Sequence, residues 1–159
     1  MLKLQKGFTL IELLVVIGIL GILLAIVLIA INPAAQFAQA NNTARTNDVN
    51  TMLNAIHQYA ADHKGILPPS AAAAYPVAPE AAVEISKLGV DICAATSPDY
   101  VSLLPTDPDS ATNGVAVADC TSSYATGYFI VKDASGRITI SAPLAEPVRG
   151  TTPVISVTR

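Results

Sequence analysis

The chain has 159 residues, enough for one compact domain, and 12 Asp+Glu stand against 9 Lys+Arg. The formal net charge of −3 argues against a basic face for nucleic acid, so direct nucleic-acid binding is not expected. The mean hydropathy is positive, and one N-terminal segment is the main reason.

That segment opens with Lys3 and Gln5-Lys6-Gly7, continues as Phe8-Thr9-Leu10-Ile11-Glu12, and then runs through apolar residues and glycines without a break over 13–31. At about 1.5 Å per residue, the last stretch makes a helix of roughly 28 Å, the thickness of a bilayer's hydrocarbon core. Lys3 and Lys6 precede it, and its other flank has no basic residue until Arg45, so residues 1–7 are expected in the cytoplasm and everything after Ile31 across the membrane. Glu12 sits inside the apolar run, where nothing in the same segment is expected to pair with it. An acid there costs on the order of 1–3 kcal/mol depending on depth, and marks a function or a missing partner unless it lies at the headgroup level.

The residues Lys6-Gly7-Phe8-Thr9-Leu10-Ile11-Glu12, followed by an apolar span, resemble the processing site of type IV prepilins and type II secretion pseudopilins. The resemblance covers roughly residues 3–65. It implies a leader of residues 1–7 cut between Gly7 and Phe8, N-methylation of Phe8, and a need for Glu12 in assembly. The implied partners are a prepilin peptidase and methyltransferase, an assembly platform, membrane lipid before assembly, and other copies of the chain in a filament. The role is that of a structural subunit rather than an enzyme; a pilus, a secretion pseudopilus and a DNA-uptake fibre all fit. A conventional secretory signal ending at Ala38-Gln39-Ala40, heading a secreted or membrane-anchored binding domain or enzyme, is the reading of a different class. Its apolar region would be about 7–15 residues, shorter than this one. Losing the leader removes Lys3 and Lys6, leaving 7 bases against 12 acids, a side-chain charge of −5.

Downstream, Asn32-Pro33 should kink or pause the helix, because proline removes one helical hydrogen bond and clashes with the preceding turn at about 3 kcal/mol. Over residues 34–64, Val49, Met52, Leu53, Ile56 and Ala60 fall on one stripe of a helix, which should lie inward on a sheet. The polar stretch 36–47 is expected to face solvent or other subunits. Gly65 and Pro68-Pro69 end the helix. Counted together, residues 8–64 make an interrupted rod of roughly 85 Å, too long for a domain of this size to bury.

Residues 71–74 with Pro76 and Pro79 read as a low-complexity linker, and 80–88 as a short helix stopped by Gly89. Val115-Ala116-Val117, Tyr124, 128–132, 137–141 and, with Pro153 before it, 154–158 read as strands, with Asp133-Ala134-Ser135-Gly136 as a hairpin. A long helix followed by short antiparallel strands is an α+β layout. It agrees with the pilin fold that the resemblance implies, in four parts: leader 1–7, transmembrane and assembly helix 8–31, amphipathic continuation 32–64 and globular head 65–159.

Cys93 and Cys120 meet an oxidising compartment in this topology, and a bridge between them is expected. His57 and His63 stand about 240° apart around a helix, so they cannot share a metal, and they read as surface histidines. No arrangement places a nucleophile beside a base. Asp99, Asp107, Asp109 and Asp119 form the one acidic cluster, and hard oxygen ligands on loops suit calcium, with Asp107 and Asp109 the candidate ligands. The calcium site of major pseudopilins lies in a comparable loop.

Overall fold

The computed structural model describes residues 7–70, 74–111 and 113–159, without the side chains of residues 29–31. Most of the leader and the middle of the linker (residues 71–73) therefore lie outside the described residues. The chain divides into two compact units, Met1–Phe37 and Ala38–Arg159.

In the first unit, helix α1 (Leu10–Ile31) exposes every side chain from Leu10 to Leu28, and it is long and apolar enough to cross a membrane. A helix that is apolar all round needs lipid or protein around it. By length and composition α1 is therefore a candidate membrane span. It stops at Asn32, whose backbone is left-handed (φ 45°, ψ 79°), and helix α2 (Pro33–Asp62) starts on the proline. Asn32 O accepts from both Ala35 N (3.1 Å) and Gln36 N (3.4 Å), so the pause caps the next helix as it ends the first.

In the second unit, α2 buries Ala38, Asn42, Arg45, Val49, Met52, Leu53, Ala55 and Ile56. The expected stripe is present, but it runs three turns further towards the N-terminus, through the polar Arg45 and Asn42 to Ala38. Stretch 36–47 therefore turns one face into the core rather than only towards solvent. Val49, Met52, Leu53 and Ile56 pack with Ile85, Tyr128, Ile130, Ile138, Ile140 and Ile155. Full burial of each such side chain is worth about 1.5–3 kcal/mol. The helix closes with Lys64 left-handed (φ 57°) and Gly65 N donating to Ala60 O at 2.7 Å.

Four antiparallel strands, β1 (Val83–Ser86), β2 (Ala125–Lys132), β3 (Ile138–Ala142) and β4 (Ile155–Thr158), lie in sequential order. The α+β layout is as the sequence predicts. Hairpin 133–136 joins β2 and β3, with Asp133 Oδ1 accepting from Ser135 N and Arg137 N at 2.8 Å each. Two segments differ from expectation. Stretch 80–88 is not a helix: Val83, Glu84 and Ser86 pair with Ile130, Phe129 and Ala125 of β2. Tertiary pairing there outweighs the local helix preference of Glu80-Ala81-Ala82. Val115-Ala116-Val117 forms no ladder, and only Val117 makes a single bridge, to Leu104.

Cys93, which opens the one-turn helix α3 (Cys93–Thr96), is bridged to Cys120 with a Cα–Cα distance of 5.4 Å. Closing a loop of this length removes unfolded-state entropy worth on the order of 3 kcal/mol. Thiol labelling of the unreduced, denatured chain should find no reactive thiol, and reduction should lower the unfolding free energy by about that amount. Two labelled thiols per chain would contradict the bridge.

Candidate functional site

At the N-terminal edge, Gly7, Phe8 and Thr9 precede the helix in non-helical backbone, and Phe8 is 87% exposed. Thr9 is the N-cap residue of α1. Its Oγ1 accepts from Glu12 N at 3.3 Å, while Glu12 Oε2 accepts from Thr9 N at 2.9 Å and from Thr9 Oγ1 at 2.7 Å. The expectation that nothing in the segment pairs with Glu12 is thus corrected: Thr9 does. Thr-x-x-Glu ahead of an apolar run is a capping box, and that signal stands in the sequence. The physical result is a carboxylate folded back over the first turn, at the positive end of the helix dipole. Phe8 and Glu12 line one shallow groove with Ile11, Val15 and Val16.

The acids suggested as calcium ligands sit elsewhere, around Arg45, which is fully buried on α2. Asp107 takes the guanidinium bidentately (Nε to Oδ2 2.9 Å, Nη2 to Oδ1 3.1 Å), Asp109 accepts from Nη2 at 2.8 Å, and Nη1 donates to Asn42 Oδ1 and Glu146 Oε1. All five N–H groups of the arginine are therefore used. Burial works against its charge, but the bonds to Asp107, Glu146 and Asp109 more than offset this, and Arg45 is held protonated. These residues do not fit calcium: Asp107 gives both oxygens to the guanidinium, and the positive charge that a cation would bring is already there. Among the described residues, no group of three or more His, Cys, Asp or Glu is placed to hold a metal.

Local backbone explains why Asp107 reaches so far in. Gly127, inside β2, has φ +78°, and a Cβ on it would stand 2.9 Å from Asp107 Cβ. The glycine lets the loop close on the strand, where Asp107 N donates to Thr126 O at 2.8 Å. Beside the cluster, Tyr128 Oη donates to Asp48 Oδ2 at 2.7 Å, and burial raises the Asp48 carboxyl. The histidines depart from the surface reading in one respect, since His57 is half-buried while His63 stacks on Tyr59 at 3.9 Å.

The sequence reading missed Thr9, Arg45, Glu146 and Gly127. Only the first had a local signal.

Among models of protein families, the prokaryotic N-terminal methylation motif matches residues 2–28. No curated protein and no solved structure matches the chain. The match falls on the segment holding Gly7, Phe8 and the Thr9–Glu12 box. Residues 2–28 form a prepilin-type N-terminal methylation motif at the head of an α+β chain, in agreement with the type IV pilin and pseudopilin family.

Proposed function

We propose that the chain is a structural subunit of a type IV pilus-like filament. It is held in the cytoplasmic membrane by α1 with residues 1–7 in the cytoplasm. A prepilin peptidase cuts between Gly7 and Phe8, Phe8 is N-methylated, and the subunit polymerises through its N-terminal helix at the cell surface. One observation carries this reading: an apolar helix with every side chain from Leu10 to Leu28 exposed, headed by a non-helical Gly7-Phe8 step and a carboxylate folded back on Thr9.

The chemistry of each residue follows. Gly7 offers no side chain to a protease working at the membrane face, and it leaves the backbone free to enter an extended cleft. Cleavage turns the Phe8 nitrogen into an amine, a positive charge created beside Glu12. Methylation keeps that charge and adds a small apolar group at the helix start.

Gly7→Val tests the reading. The variant should accumulate in membranes as full-length precursor, with no detectable Phe8 N-terminus and no sheared filament. Normal cleavage after residue 7 in that variant would contradict a prepilin-type site.

A further inference from the structure

Two lengths of main chain in the second unit face outward without a ladder partner among the described residues. The first is the outer edge of β4. Ile138 and Arg159 exchange both backbone bonds (2.7 and 3.0 Å), and Val157 and Ile155 stand opposite Ile140 and Ala142. The alternation of an antiparallel ladder then turns the N–H and C=O groups of Ser156 and Thr158 away from β3. The opposite edge of the sheet is covered, since Glu84 O on β1 accepts from Val90 N at 3.0 Å.

The second length is the stretch whose sequence reads as a strand but which finds no sheet. Val117 N donates to Leu104 O at 2.8 Å and Val115 O accepts from Thr106 Oγ1 at 2.9 Å, so Ala116 and Ala118 turn their main-chain groups the other way. Val115 is 68% exposed. This stretch belongs to the loop that Asp107 ties to Thr126 of β2, whereas β4 lies beyond β3.

We propose that β4 of one copy takes residues 115–119 of a second copy as a fifth, antiparallel strand, with Ser156 opposite Ala118 and Thr158 opposite Ala116. Only an extended polypeptide satisfies alternate N–H and C=O groups along an edge. Charge chooses the partner. In this register Asp119 falls opposite Ile155, which lines an open groove of about 720 Å³ with Thr43, Asn47, Val148, Arg149 and Thr151. The groove has a cation and no carboxylate. Hydrogen bonds from Ser122 and Thr121 hold the Asp119 carboxyl down at about 2, so it arrives charged. Because the two lengths are different patches of one chain, the contact is heterologous and leaves each copy a free patch for the next, as an open filament requires. The inference rests on the filament reading and places a contact between heads beside the one between helices.

The test is cross-linking in intact cells. Opposed residues of a hydrogen-bonded pair lie about 5.5 Å apart at Cα, within disulfide reach. Chains carrying Thr158→Cys and Ala116→Cys together should give a ladder of multimers on oxidation in the sheared fraction, and either variant alone should stay monomeric. Adding Ser156→Pro removes one outward N–H and no bond to β3, and should cut the ladder at least tenfold. Filaments of the double variant without a ladder would overturn the proposal, as would dimers from Thr158→Cys alone or a ladder that Ser156→Pro leaves intact. A ladder in the membrane fraction of cells whose wild-type chain sheds no filament would overturn the filament reading but not the pairing. Neither ladder nor filament would overturn both.

Discussion

Glu12→Ala should insert in the membrane, be cut after Gly7 and fold beyond Asn32, yet lose filament yield at least tenfold. The expected cause is electrostatic. In the proposed filament, the Phe8 amine that cleavage would free on an incoming subunit would face the Glu12 of its neighbour. At about 4 Å and an effective dielectric near 20, such a pair gains roughly 4 kcal/mol, comparable with the cost of placing the acid in an apolar layer. Such a pair would fix an axial register that leucines and isoleucines alone do not distinguish, and about 1.4 kcal/mol per contact already changes occupancy tenfold. The capping box sharpens the competing account, in which Glu12 serves only Thr9 within its own chain. Loss of a cap costs about 1 kcal/mol, mostly as fraying of the first turn. Thr9→Val removes the side-chain half of the box, whereas Glu12→Ala removes the acid itself. Filament yield should fall far more for Glu12→Ala, measured by shearing and immunoblot. Equal losses would favour the capping account, and wild-type yield from Glu12→Ala would sink the pairing.

Arg45→Ala should be the most destabilising single change in the second unit. It leaves Asp107, fully buried, with a charge and no cation, along with Glu146 and Asp109 close by. Removing one partner of a buried pair costs about 3–5 kcal/mol, a large part of the 5–15 kcal/mol that typically separates folded from unfolded. The chain has 5 tyrosines and no tryptophan, so tyrosine fluorescence during urea unfolding in detergent reports on this unit. Its midpoint should fall sharply for Arg45→Ala. Arg45→Met combined with Asp107→Leu should recover much of the loss, because two apolar side chains leave no fully buried unpaired charge, and Asp109 and Glu146 keep access to solvent. An unchanged midpoint in Arg45→Ala would show that the buried cluster is not what holds the loops of Asp107 and Glu146 against α2.

What the sequence made legible was whatever depends on neighbours in the chain. The span, the pause at Asn32-Pro33 and the stripe Val49, Met52, Leu53 and Ile56 follow from runs and periods. So does the hairpin at Asp133-Ala134-Ser135-Gly136. Thr9 belongs to this class too, since its box with Glu12 spans three residues. Arg45 does not. Its carboxylates lie 62, 64 and 101 residues away, and a lone arginine among asparagines and threonines reads as solvated until those loops fold over it. The same distance hides the role of Gly127, which matters only because Asp107 comes to rest against it. Stretch 80–88 went astray for a related reason: its alanines and glutamates favour a helix locally, but Val83 and Ile85 find their burial on a sheet whose other strands begin some 40 residues later, at Ala125. The calcium suggestion took four aspartates on loops for a cation site, when a cation from the protein itself already holds two of them.

The most direct measurement is the intact mass and N-terminal sequence of the chain recovered from sheared cell-surface material. The account predicts a chain of residues 8–159 beginning at N-methylated Phe8, with one intramolecular disulfide. A chain beginning at Asn41 after a conventional signal cut, or a full-length precursor found only in the membrane, would contradict it.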